Sequence, residues 1–167
     1  SKFHNLGNFI TINISSPNTE GLRDFHEKKS LTNLFDKIYN FKKEKNFSTP
    51  LVVKISPDIE KENISEIIEI LFKFKIDGVI ISNTSDKNRA NLNDEKKIEQ
   101  GGLSGSPIKK ISTELIKTFY KELKNKIPII GVGGVDSGDS AYEKISAGAS
   151  ALQLYTGMVY NLSLIHI

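Results

Sequence analysis

Five short apolar runs alternate along this chain with longer segments in which apolar residues return every three or four positions. The runs are residues 9–14 (FITINI), Leu51–Ile55 (LVVKI), 77–82 (DGVIIS), 127–132 (IPIIGV) and 151–155 (ALQLY). Each is strand-length, the first four are rich in β-branched residues, and each stops at small polar residues or glycine, which predicts five strands. The run at 77–82 is apolar throughout, as strands covered on both faces of a parallel sheet are. Between the runs, Leu31, Leu34, Phe35, Ile38 and Tyr39 share one helical face, with Ser30 as the expected N-cap and residues 47–50 as the break. Ile64, Ile67, Ile68, Leu71 and Phe72 mark a second helix, and Leu115, Ile116, Phe119, Tyr120 and Leu123 a third. Residues 140–147 predict a short fourth helix with Gly148 as its cap.

Strand and helix in strict alternation imply a parallel α/β architecture. The repeat averages a little over 30 residues, close to the unit of a (β/α)8 barrel, in which about 250 residues make eight units. Five strands cannot close such a barrel. The pattern therefore leaves two architectures, an open doubly wound sheet or part of a barrel, and both place function at the C-terminal ends of the strands. The connections differ in character. Residues 1–8 are a polar lead-in. Residues 18–29 form a charged loop, longer than a usual strand-to-helix link and containing Gly21 and Arg23, which predicts a lid. Residues 85–107 form a long polar loop ending in GGLSGSP, and residues 158–167 are apolar without a clear stop.

Composition narrows the chemistry. With 167 residues, 38% hydrophobic and 26% charged, the chain is long enough for one domain with a real core. The net charge of +3 is spread over helices with no basic stripe and no interleaved aromatics, so no nucleic-acid partner is expected. There is no cysteine, which excludes disulfides, thiolate metal sites and a thiol nucleophile within the chain. His4, His26 and His166 have no ligand spacing, so no metal site is expected, and all three read as surface or loop residues. No apolar run approaches the roughly 20 residues of a membrane span, and no signal peptide is expected.

The strand ends carry a distinctive set of groups. They are Asn13 with Ser15, Ser16 and Asn18; Lys54; Ser82, Asn83 and Thr84; Gly133 and Gly134; and Tyr155, Thr156 and Gly157. INISSPNT at 12–19 alone reads equally as a polar turn. No carboxylate pair is among these residues, which argues against glycosidase chemistry, and no His or Cys stands ready to activate a serine. Lys54 interrupts an apolar strand. It is either an edge lysine facing water or a cation at a barrel mouth facing an anionic ligand, such as a flavin ring that gains negative charge on reduction. GVGG at 131–134 and YTG at 155–157 are either tight turns or places where backbone N–H groups approach a phosphate.

INISSPNTEGLR, LVVKISPD, DGVIISNTS, GGLSGSP, IPIIGVGGVDSG and EKISAGASALQLYTG, in this order, closely resemble the C-terminal part of class 2 dihydroorotate dehydrogenase, from about residue 9 to residue 160. The resemblance implies an FMN-binding (β/α)8 barrel, of which this chain is strands four to eight, residues 1–167 forming the C-terminal portion of one domain. It implies oxidation of dihydroorotate to orotate, in de novo pyrimidine (UMP) biosynthesis, with ubiquinone or a related quinone as acceptor. Ser16 matches the catalytic base; related class 1 enzymes have Cys there, so the serine points to class 2. Thr19 matches a hydroxyl close to that base, a candidate proton relay. Asn13 matches a residue touching both FMN and substrate. Asn18, Asn83 and Thr84 match the groups that hold the pyrimidine, and Lys54 and Ser82 match contacts to the flavin ring. Gly105, Gly134, Tyr155 and Thr156 match backbone contacts to the ribityl phosphate.

Two departures accompany the resemblance. The family's first three strands and its membrane-docking helices, which form the quinone tunnel, have no counterpart in these residues. Past Tyr160 the family's Gly-Pro turn and final amphipathic helix are replaced by NLSLIHI, so the tail 158–167 departs from the pattern. The expectation is that this portion alone is inactive. Peripheral contact with the bacterial inner (cytoplasmic) membrane, or alternatively the mitochondrial inner membrane, is implied for the absent part. Two further readings stand beside this one: another FMN-dependent barrel oxidising pyrimidines, and a non-catalytic phospholigand-binding α/β module.

Overall fold

The computed structural model describes residues 6–87, 89, 90 and 92–160. Five strands, β1 (Ile10–Asn13), β2 (Leu51–Ile55), β3 (Gly78–Ile81), β4 (Ile129–Val132) and β5 (Ala151–Gln153), form one sheet. Every neighbouring pair is parallel, and the strands lie in chain order. Helices α1 (Lys28–Glu44), α2 (Lys61–Lys73), α3 (Lys109–Leu123) and α4 (Gly138–Ser146) fill the crossovers, and a short α5 (Thr156–Tyr160) follows β5.

The strand order separates the two architectures left open by the pattern. A doubly wound sheet reverses direction at a switch point, and this one never does. Right-handed crossovers that always step the same way lay every helix on the same face. Accordingly α1 packs on α2, α2 on α3 and α3 on α4 in a single layer. Leu51, Val53, Ile55, Val79, Ile81 and Ile129 point into the core beneath that layer, with Phe35, Ile67, Leu71, Ile116 and Phe119 opposite. The alternate residues point to the other, concave face. Register aligns Asn13 with Lys54, Lys54 with Ile80, and Ile80 with Ile130, so these four side chains form one row across it.

Several boundaries differ from the pattern. Except for β2, which matches its run, the strands are shorter than the apolar runs. Asp77, at the edge of the third run, accepts the Leu51 N–H with its carboxylate at 2.8 Å, and Pro128 in the fourth has no N–H for a ladder. Ser30 is not an N-cap: a 3₁₀ turn at Leu22–His26 leads directly into α1, whose cap position is Glu27. The cap of α4 is Ser137, in a reciprocal capping box with Ser140, which therefore lies inside the helix. Gly148 follows α4 at φ +115°, and a Cβ there would stand 2.3 Å from the Tyr120 ring. His26 is buried, not a surface residue, because the 3₁₀ turn folds it against the end of β2. His4 and His166, with residues 161–167 of the tail, lie outside the described residues.

Candidate functional site

The ends of β1 and β3 are tied by a small polar knot. The Asn13 side-chain carbonyl accepts from the Ser15 N–H at 3.2 Å, the Ser15 hydroxyl at 2.9 Å and the Asn83 amide at 3.3 Å. The same Asn83 amide donates to Ser15 Oγ at 3.0 Å, while its carbonyl accepts the Thr84 N–H at 2.8 Å. This fixes which way both amides point, leaving Asn13 exposed and Asn83 and Thr84 half-buried. Ser15 is fully buried at the centre. The sequence marks it only as one of several small polar residues after β1, so its bridging role was not visible there.

A cavity of about 180 Å³ opens at the C-terminal ends of β2 to β5. Lys54, Ser82, Asn83 and Thr84 line one side, and Gly105, Gly133, Gly134, Tyr155 and Thr156 the other. Tyr155 is 80% exposed. Thr156 donates to Ser104 Oγ at 2.9 Å, which pins the loop before α3 to the start of α5. Gly105 sits at φ +76°, where an L side chain is strained, and a Cβ there would come within 3.1 Å of Thr156. Lys54 is half-buried and, among the described residues, has no hydrogen-bond or ion-pair partner; burial pushes its ammonium below the usual lysine range. It sits on the second of five strands, so it is not an edge lysine.

The remaining candidates lie on the loop after β1. Ser16 is half-buried, and its Oγ accepts the Asn18 N–H at 3.2 Å. Asn18 is exposed and lines a separate, more open depression with Pro17, Asp86, Arg89 and Gly101. Thr19 is also exposed. Its carbonyl accepts from Leu22, and its hydroxyl makes no hydrogen bond among the described residues. Ser16, Asn18 and Thr19 therefore do not line the cavity that Lys54 faces; Asn13 stands next to it through its register with Lys54.

A charged cluster that the sequence did not single out holds these loops together. Arg23 pairs with Asp58 at 3.1 Å and with Asp86 at 2.7 Å, and reaches the Thr84 carbonyl at 3.4 Å. Asp58 also accepts from the Ser85 hydroxyl at 2.6 Å and the Asp86 N–H at 3.1 Å. One carboxylate thus joins the loops after β1, β2 and β3. Burial pushes the Asp58 carboxyl up, while the hydrogen bond from Arg23 holds that of Asp86 down. Arg89 organises the loop at 85–107 by donating to the carbonyls of Lys97, Glu99 and Gly101.

A family model described as "Dihydroorotate dehydrogenase" matches residues 1–166. The chain belongs to the dihydroorotate dehydrogenase family. A "Dihydroorotate dehydrogenase (quinone)" of Psychrobacter sp. is 46% identical over 157 residues, covering 91% of this chain and 45% of the relative. A protein of the same name from Haemophilus ducreyi is 46% identical over 165 residues, covering 95% and 49%. Among solved structures, that of DHODH from Eimeria tenella in complex with ferulenol superposes with a TM-score of 0.86 at 31% identity, over 95% of this chain and 47% of that one. The chain thus spans about half the length of the relatives it matches. The five strands are a partial barrel of the dihydroorotate dehydrogenase type, and the sequential strand order is that of a barrel wall.

Proposed function

We propose that this chain is the C-terminal half of an FMN-dependent, quinone-reducing dihydroorotate dehydrogenase that converts dihydroorotate to orotate in pyrimidine biosynthesis. The observation that carries the reading is Lys54, a half-buried cation with no partner among the described residues, facing a cavity at the strand ends of a chain from this family. Binding a phosphate alone does not need the Asn13 and Asn83 amides gathered at the same strand ends.

The lining fits FMN. Lys54 and Ser82 offer a cation and a hydroxyl for the polar edge of the ring, and Gly105, Gly134, Tyr155 and Thr156 offer main chain to the ribityl phosphate. Among the described residues neither Gly133 nor Gly134 uses its N–H in a hydrogen bond, which leaves both available to an anion. FMN, when bound, supplies the acceptor for the hydride that leaves C6 of dihydroorotate. Asn83 and Thr84, with Asn13 and Asn18, hold and orient the pyrimidine through amides and a hydroxyl. Ser16 takes the proton from C5 as its own hydroxyl proton passes on to Thr19, and the Asn18 N–H donated to its Oγ holds that oxygen in place. Thr19 passes that proton outward once the loop closes over the substrate and brings its hydroxyl inward. Lys54 stabilises negative charge gained on the ring side of the cavity. The quinone and the peripheral contact with the bacterial inner membrane belong to the N-terminal half of the barrel protein, where the relatives' remaining length lies. By itself this portion leaves β1 and β5 as open edges and turns over no dihydroorotate.

The test is anaerobic mixing of dihydroorotate with a complete barrel carrying this chain as its C-terminal half, followed by flavin absorbance. Rapid bleaching, slowed at least a hundredfold in both Ser16→Ala and Lys54→Gln, is expected. Bound flavin that dihydroorotate does not bleach assigns another substrate, and a barrel that binds no flavin overturns the reading.

A further inference from the structure

Lys144 is completely buried on α4 and takes no part in the chemistry above. Its Nζ donates to Ser112 Oγ at 2.5 Å and to Thr113 Oγ1 at 3.2 Å, both on the first turns of α3. Among the described residues no carboxylate is a hydrogen-bond partner of its ammonium. Glu143 and Lys109 are the charges it feels, and they pair with each other at 3.5 Å. An ammonium sealed in this way is costly to bury, and an apolar side chain of similar length would fill the space without that cost.

The hydroxyls show what the ammonium does. Thr113 Oγ1 donates to the Lys109 carbonyl at 2.8 Å. Ser112 Oγ lies 2.9 Å from the Gly133 carbonyl and 3.1 Å from that of Lys109, which Thr113 already serves. With its lone pair held by Lys144, the Ser112 hydroxyl turns its single proton to Gly133. The Gly133–Gly134 peptide is trans, so its N–H points opposite to its carbonyl. Anchoring the Gly133 oxygen on α3 therefore turns the Gly134 N–H away from α3, toward the cavity that both glycines line.

We propose that Lys144 is a positioning residue for anion binding: through Ser112 it fixes the Gly133–Gly134 peptide so that the Gly134 N–H is presented to the phosphate group of the cofactor. The assignment rests on the FMN reading above. Burial lowers the Lys144 ammonium to about 8, so at neutral pH it is still mostly charged and also polarises the Ser112 hydroxyl toward Gly133.

The experiment compares FMN with riboflavin, which lacks the phosphate, by quenching of flavin fluorescence on the apo form of the complete barrel. Lys144→Met and Ser112→Ala are each expected to weaken FMN at least tenfold and to leave riboflavin within twofold. Unchanged FMN affinity in Ser112→Ala overturns the proposal, as does a parallel loss of both flavins in either variant. If Lys144→Met fails to fold, Ser112→Ala decides alone. If the unsubstituted barrel binds neither flavin, the FMN reading fails, and inorganic phosphate becomes the probe: equal phosphate affinity in Ser112→Ala and the parent then overturns the role of Lys144.

Discussion

Acidification acts on this fold through His26. Its imidazole is 7% exposed, and its Nε2 accepts the Ser56 N–H at 3.5 Å, so the folded state holds it neutral. Burial, helped by the positive charge of Arg23 and opposed by a hydrogen bond to the Arg23 main chain, lowers its pKa from 6.5 to about 4. A base whose folded pKa is depressed is protonated in the unfolded chain first. Above pH 6.5 both states are neutral and His26 contributes no pH dependence. Between pH 6.5 and 4 the unfolded chain binds a proton that the folded chain does not, so stability falls as pH falls. The full loss, present below pH 4, is about 3 kcal/mol. Urea unfolding at intervals from pH 7.5 to 4, with His26→Gln in parallel, isolates this effect, since Gln still offers an oxygen to Ser56 and the carboxylates titrate alike in both proteins. The parent is expected to lose about 3 kcal/mol more than the variant across that range. Equal slopes would refute the reasoning.

Two further outcomes follow from the loops. Asp58→Ala leaves the Asp86 N–H without its acceptor, the buried Ser85 hydroxyl with only the Lys87 carbonyl, and Arg23 with Asp86 as its one carboxylate, so urea unfolding is expected to show a loss of about 3 kcal/mol; a loss under about 1 kcal/mol would mean that water replaces the carboxylate. A Cβ on Gly102 would lie 2.0 Å from Thr84 Oγ1, so Gly102→Ala is expected to turn that hydroxyl away and to weaken orotate binding to the complete barrel at least tenfold by titration, an effect that unchanged affinity would exclude.

The elements were legible because they are written in short-range periodicity: Leu31, Leu34, Phe35 and Ile38 declare a helix face whatever they pack against, and LVVKI declares a strand. The strand ends were legible to within two residues for the same reason, since the small polar residues or glycines after each run show where its loop begins. Periodicity carries nothing about which strand lies beside which, and a doubly wound sheet and a barrel wall have the same alternation. Their difference lies in the pairing of distant segments, settled by how four helices bury their apolar stripes on one side of the sheet. The errors have that origin too. His26 looked like a surface or loop residue because it lies in a charged loop without ligand spacing, and its partner Ser56 is 30 residues away. Asp58 was not singled out, because its guanidinium partner Arg23 is 35 residues upstream and its hydroxyl donor Ser85 27 residues downstream. Lys144 was one lysine among many on a predicted helix, and burial under α3 is what gives it a role. Side-chain identities along the chain name the groups available for chemistry; the crossing of helices over the sheet decides which of those groups lose water, and loss of water is what makes a lysine, a histidine or a carboxylate act differently from its neighbours.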